Sequence, residues 1–178
     1  MTIYLIRHGK TLANERRLYC GSTDLGLSEQ GREDLHGIHF DISNVRFRTS
    51  GMKRANETMD LLFPGVPYEQ DSRFREVDFG VFEMHSYEEL KERADYQAWL
   101  TGDNERNIPP GGESGEQMTE RVLSAYCGLT EDTCLVTHGG VIAAIMACLF
   151  PEENRHRYQW QPQNGHGYRI TASGYEPI

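Results

Sequence analysis

Two stretches of this chain are apolar without interruption, and both stop on a histidine and a glycine. Ile3-Tyr4-Leu5-Ile6 runs into Arg7-His8-Gly9, and Thr133-Cys134-Leu135-Val136-Thr137 runs into His138-Gly139-Gly140. Short continuous apolar runs rich in β-branched and aromatic residues predict strands buried on both faces. The second run leads into residues 141–149, apolar over a length that predicts a helix packed on the sheet. Between them the pattern alternates. Ser28 predicts the N-cap of a short helix, with Glu29 and Gln30 in its first turn. Residues 45–48 read as a weak strand, 52–63 as a helix stopped by Pro64-Gly65, and 66–69 as another strand. Ser86 predicts the cap of a helix running towards Leu100, with Glu88 and Glu89 where the helix dipole favours acids. A polar Pro/Gly loop follows over 103–112, Ser114 caps a helix reaching Tyr126, and a last strand covers 167–171. Strands alternating with helices predict a three-layer α/β/α fold around a mostly parallel central sheet. The helices between Phe79 and Tyr126 are the candidates for a helical cap.

In open α/β sheets, ligands bind at the carboxyl ends of strands. One histidine at such a place is more often structural than catalytic. Two in the same context, each beside glycine, favour a shared site.

At these residues the chain resembles the histidine phosphatase superfamily, the phosphoglycerate-mutase-like proteins. Arg7-His8-Gly9-Lys10-Thr11-Leu12-Ala13-Asn14 is similar to the family's Arg-His-Gly-x-Thr-x-x-Asn signature. Residues 21–31 resemble its Gly-x-x-Asp-x-x-Leu-(Ser/Thr)-x-x-Gly stretch, and residues 50–58 its Ser-x-x-x-Arg-Ala-x-x-Thr helix start. Arg75-Glu76-Val77-Asp78-Phe79-Gly80 resembles its Arg-Glu-x-x-Phe-Gly segment, and His138-Gly139-Gly140 its second histidine. Each motif alone is weak; in this order they are specific. The resemblance covers nearly the whole chain and implies a single domain over 1–178, with a cap at about 80–126.

The resemblance makes His8 the nucleophile that becomes phosphorylated. Imidazole can take that role when one ring nitrogen is held and the other is free. Arg7 and Arg54 offer planar forks suited to phosphate oxygens, and His138 is expected to add a donor to the developing charge. Glu76 matches the family's acid, which protonates the leaving oxygen. Asp78 would share a face with Glu76 in a strand and stays open as the alternative. Thr11, Asn14, Arg17, Ser22, Thr23 and Gly139 are expected around the substrate. For Arg17, in the Arg16-Arg17 loop pair, plain solvation competes with phosphate binding. His85 is a candidate substrate contact, whereas His36, His39, His156 and His166 match no family position.

The chain departs from the family pattern in two places. Lys10 stands where Glu or Gln is common, so it either strengthens anion binding or points to solvent. Residues 81–84 carry Phe82 and Met84 where many relatives show Trp and Gly, which changes the pocket rather than the phosphoryl chemistry.

Composition narrows the partners. A chain of 178 residues can bury a substantial core. The net charge of −9 argues against nucleic acid as a partner, no apolar stretch approaches a membrane span, and the chain opens directly on a core strand with no signal peptide evident. Cys20, Cys127, Cys134 and Cys148 lack metal-ligand spacing, consistent with a reducing cytoplasm. The chemistry requires no cofactor and no metal. A net negative chain should repel a phosphate ester at long range, so attraction must come from a few arginines focused in one cleft: Arg7, Arg54 and Arg17 are the candidates.

The expected partner is a small phosphate ester; whether the chain forms a homodimer stays open. The chain lacks the extra segments of longer phosphoglycerate mutases, which favours a phosphatase. Trp99 and the loop ending Pro109-Pro110-Gly111-Gly112-Glu113-Ser114 resemble α-ribazole phosphatases of cobalamin synthesis. A phosphoglycerate or sugar-phosphate phosphatase or mutase, and a non-catalytic phospho-ligand binder, are the alternatives.

Overall fold

A computed structural model describes residues 1–103 and 105–178. The two apolar runs are β1 (Ile3–Arg7) and β4 (Thr133–Thr137), adjacent and parallel at the middle of a six-stranded sheet. The other strands are β2 (Arg46–Thr49), β3 (Glu69–Gln70), β5 (Gly167–Thr171) and β6 (Gly174–Pro177), in the order β3-β2-β4-β1-β5-β6. β1 to β4 are parallel; β5 and β6 run antiparallel at one edge.

The pleat divides the central residues between two cores. Ile3, Leu5 and Leu135 face α6 (Gly115–Cys127) and α7 (Gly139–Leu149), against Met118, Val122, Ile142 and Ile145. Tyr4, Ile6, Cys134 and Val136 face α3 (Lys53–Leu62), against Ala55 and Met59. Helices on both faces explain why these strands read as continuous apolar runs. Leu5 and Leu135 are fully buried, where truncation to alanine costs about 2–5 kcal/mol.

The remaining helices are α1 (Leu12–Glu15), α2 (Glu29–Leu35), α4 (Tyr87–Leu90) and α5 (Ala94–Leu100). Ser28, Ser86 and Ser114 cap α2, α4 and α6 as expected, the last two in reciprocal capping boxes with Glu89 and Gln117.

Several expectations need correction. The helix expected from Ser86 to Leu100 is two helices. Leu90 and Tyr96 are both buried, at a spacing that a straight helix would place on different faces. The chain therefore turns at Arg93, which is extended and grips Asp95 at 3.0 and 2.7 Å. Phe82, Leu90 and Tyr96, with Tyr19, Phe79, Trp99 and Leu100, form a separate small core, whereas α6 buries Met118, Val122 and Ala125 in the main one. β3 begins later than residue 66 because the Val66 N–H turns back to the Phe63 carbonyl and Pro67 has no N–H to give a ladder. α1 and β6 are elements without a clear apolar pattern, one too short and the other largely polar, whereas β5 occupies the expected 167–171.

Met84 sits at φ 61°, a left-handed conformation that costs a side chain about 1–2 kcal/mol. Glycine's extra unfolded-state freedom offsets part of the relief. Met84→Gly is therefore expected to be neutral or stabilising by up to about 1 kcal/mol in urea unfolding; a clear destabilisation would contradict this reading.

Candidate active site

The register of the central strands builds the site. Arg7 pairs with Thr137, and the His8 N–H bonds the Thr137 carbonyl at 2.9 Å. The first residues past the two strands are thus His8 and His138, with ring centroids 5.2 Å apart. On the other side of β4, Thr49 pairs with Val136, so Ser50 leaves β2 beside them and its hydroxyl lies 2.8 Å from His138 Nε2. Three neighbouring parallel strands deliver Ser50, His138 and His8 to one sheet edge.

The two imidazoles are held differently. His8 is 5% exposed, and its Nδ1 lies 2.7 Å from the Gly9 carbonyl oxygen. A carbonyl only accepts, so Nδ1 carries the proton and Nε2 keeps its lone pair in the neutral ring. Burial, then the charges of Arg54 and Arg7, push the His8 pKa well below the ordinary 6.5. His138 is fully buried; its Nδ1 accepts from Arg54 Nε at 3.3 Å, so its one N–H is directed to Ser50 Oγ. Burial, then Arg54, holds His138 neutral as well. The expected donation from His138 to a phosphate is not made by this N–H as the ring is placed.

Arg54 is 1% exposed at the start of α3, yet among the described residues it has no carboxylate within ion-pair distance. Its Nη1 and Nη2 donate to the carbonyls of Thr23 and Gly21 at 2.9 and 2.8 Å. Arg7 donates from Nη1 to the Pro162 carbonyl at 2.8 Å, and its buried Nε has no partner. Burial lowers both guanidinium pKa values, opposed in Arg7 by the charge of Glu76. An unpaired buried donor is costly unless a ligand satisfies it. Two unneutralised guanidiniums beside a lone-pair nitrogen form the local positive focus that a net charge of −9 requires.

Glu76 accepts from the Gly140 N–H at 2.9 Å and the Val77 N–H at 3.0 Å, at the start of α7. A Cβ at Gly140 would stand 2.3 Å from Glu76 Oε1, so only glycine permits this approach. Asp78 accepts from Ser22 Oγ at 2.9 Å and the Gly80 N–H at 2.8 Å, in a segment that is not a strand. Glu76 also lines a cavity of about 80 Å³ with Phe79, Trp99, Tyr158, Glu105 and Glu113; Asp78 does not line it.

The other expected residues are placed as follows. Thr11 and Asn14 bond each other across the start of α1. Gly139 lies against Arg7, where a Cβ would meet the guanidinium at 3.1 Å. Ser22 and Thr23 send their hydroxyls to Asp78 and Glu83. Arg17 is exposed at φ 54° and its side chain makes no hydrogen bond among the described residues. Lys10 pairs with Asp34 at 2.7 Å on the surface. His85 donates to the Glu83 carbonyl at 2.9 Å. Among the described residues no cluster of His, Cys, Asp or Glu could hold a metal ion, and no helix is long and apolar enough to cross a membrane.

Sequence reasoning gives no role to Ser50 and Thr58, although both are fixed positions of the matched motif, nor to Glu83 and Arg121. Thr58 Oγ1 accepts the Gly9 N–H at 2.9 Å and donates to the Arg54 carbonyl at 2.6 Å, tying α3 to the nucleophile turn. Arg121 on α6 binds the carbonyls of Arg73, Arg75 and Glu76 at 2.9, 2.8 and 3.0 Å. Ser50 had a signal, since it ends a strand as His8 and His138 do. Arg121 had none.

Comparison with known proteins identifies the family. The model of the histidine phosphatase superfamily (branch 1) matches residues 3–177. A chicken 6-phosphofructo-2-kinase/fructose-2,6-bisphosphatase is 35% identical over 153 residues, 82% of this chain, which spans only 32% of that relative's length. An adenosylcobalamin/alpha-ribazole phosphatase of Salmonella typhimurium is 30% identical over 162 residues, covering 84% of this chain and 79% of the relative. An Escherichia coli structure provisionally named alpha-ribazole-5'-P phosphatase superposes with TM-score 0.84 at 26% identity, over 100% of this chain and 94% of that one. The chain belongs to the histidine phosphatase superfamily.

Proposed function

We propose that the chain is a phosphatase that hydrolyses phosphomonoesters through a phosphohistidine at His8. The observation that carries the reading is the Nδ1–H bond to the Gly9 carbonyl, which leaves Nε2 with a free lone pair in a ring that feels the charges of Arg54 and Arg7. Nε2 attacks phosphorus in line while Arg7 and Arg54 hold the equatorial oxygens. The P–O bond to the alcohol breaks, and a protonated Glu76 gives its proton to the departing oxygen. Glu76, now a carboxylate, takes a proton from water, whose oxygen attacks the phosphohistidine. Inorganic phosphate leaves and His8 is restored.

The cavity beside Glu76 bears on the leaving alcohol. Phe79, Trp99 and Tyr158 offer flat apolar walls, and Glu113 is paired with Arg121. The one arginine lining it, Arg157, is paired with Glu105. Among the described residues such a lining suits an uncharged, flat alcohol and offers a second anion no unpaired cation. A ribazole-type nucleoside phosphate, α-ribazole phosphate, fits that description better than phosphoglycerate does. A sugar-phosphate phosphatase is the second reading, favoured by a wide polar opening on the other side of Arg7, lined by Lys10, Asn164 and His166. A panel containing α-ribazole phosphate, 3-phosphoglycerate, fructose 2,6-bisphosphate and simple alkyl phosphates tests this. The highest kcat/KM is expected for α-ribazole phosphate. Preference for a doubly anionic substrate would overturn the substrate assignment, and no turnover of any ester would leave a phospho-ligand binder.

Arg7→Ala and Arg54→Ala are each expected to lose about 3 kcal/mol or more of transition-state stabilisation, read from kcat/KM. Arg17→Ala should cost far less, because its side chain lies in solvent. An equal loss at Arg17 would reverse this ranking.

A further inference from the structure

Glu83 lies on the cap segment and has no part in the steps above, yet its carboxylate gathers an unusual set of donors. It accepts from the backbone N–H groups of Gly21 (2.9 Å), Ser22 (3.0 Å) and Thr23 (3.2 Å), from Thr23 Oγ1 (2.7 Å), and from the Phe79 N–H (3.0 Å). Three consecutive amides converging on one anion fix the conformation of the loop that carries them. With its N–H groups turned to Glu83, the loop presents the carbonyls of Gly21 and Thr23 to the other side, where they receive both terminal nitrogens of Arg54. The third nitrogen, Nε, bonds His138. The guanidinium is thus aimed by a hydrogen-bonded chain that begins at Glu83.

We infer that Glu83 is a positioning residue for phosphoryl transfer: it folds residues 21–23 into the cradle that orients Arg54 towards the phosphate. This rests on the reading of Arg54 as a phosphate ligand. It also couples the cap to the chemistry, since Glu83 follows Phe82, a core residue of the cap. Asp78 supports the same loop through Ser22 Oγ but touches neither carbonyl that holds Arg54.

A double-mutant cycle on the full chain tests the inference, with kcat/KM for p-nitrophenyl phosphate, vanadate affinity and the urea midpoint read for each protein. Glu83→Gln keeps the shape but replaces one acceptor oxygen with an NH₂ that faces N–H donors. Alone it is expected to lower kcat/KM and vanadate affinity by about tenfold or more. In an Arg54→Lys background the same change should cost less than about twofold, because the group it aims is gone. Equal losses in both backgrounds would show a merely structural role and overturn the inference, as would an unaffected Glu83→Gln. Should Glu83→Gln fail to fold, Thr23→Val takes its place in the cycle, with a smaller loss that also vanishes beside Arg54→Lys. An Arg54→Lys protein with wild-type kcat/KM would instead remove the phosphate-ligand reading, and with it the basis of this one.

Discussion

His8→Ala is expected to lose p-nitrophenyl phosphate hydrolysis by about 10⁴-fold or more while remaining folded. His8 is the only group in the site with a nitrogen lone pair not engaged by a neighbour, among the described residues. Removing it removes the bond that forms, not merely a contact. The pH dependence follows from the same geometry. Burial and two arginines keep the ring neutral well below pH 6.5, so the acid limb of kcat/KM should lie below that value. Stability carries the matching sign. Below pH 6.5 the unfolded chain takes up protons that the buried His8 and His138 refuse, so stability is lost as pH falls from about 6.5 towards their depressed folded values. His8→Ala should therefore show a shallower acid loss in urea unfolding than wild type. A variant with substantial residual activity would remove His8 from its role.

Glu76→Gln is expected to lower kcat/KM by about 10²–10³-fold for alkyl phosphates but by less than about tenfold for p-nitrophenyl phosphate. An alkoxide needs a proton to leave, whereas p-nitrophenolate does not. Vanadate affinity should stay near wild type, because the arginines and His8 are intact. Gly140→Ala provides a check that keeps the carboxyl group: its methyl group would collide with Glu76 Oε1 and push the carboxylate, whose Oε2 accepts the Gly140 N–H, out of place. The same leaving-group dependence, in weaker form, is expected. Equal losses for both substrate classes would remove Glu76 as the acid and direct attention to Asp78.

Much of this site is legible before any fold is known, for a physical reason. Catalytic groups at strand ends leave a linear trace: an apolar run, then His-Gly. The parallel pairing of β1 and β4 then brings His8 and His138 together without further information. Caps at Ser28, Ser86 and Ser114 are equally local and equally readable. Residues that act across the fold leave no such trace. Glu83 lies some sixty positions from the loop it organises, and Arg121 reaches from α6 to the carbonyls around Glu76. The packing of α6 is only partly legible for a related reason. The amphipathic pattern of α6 shows that it buries a face, but not that the face belongs to the main core. The conformations of Ser22 and Thr23 show the converse: polar residues in a motif can spend their hydroxyls on holding the loop.

The central claim, a covalent phosphohistidine at His8, is tested most directly by mapping the phosphoenzyme in Glu76→Gln. With a ³²P-labelled aryl phosphate, phosphorylation of the nucleophile needs little acid assistance, while the water that would hydrolyse the intermediate has lost its base. Label should accumulate on the protein within the first turnover, towards one phosphoryl group per chain. It should survive alkaline quench, be released in acid, and map to the peptide containing His8. A protein that releases p-nitrophenolate without ever carrying label, or that carries it on a residue other than His8, would contradict the account.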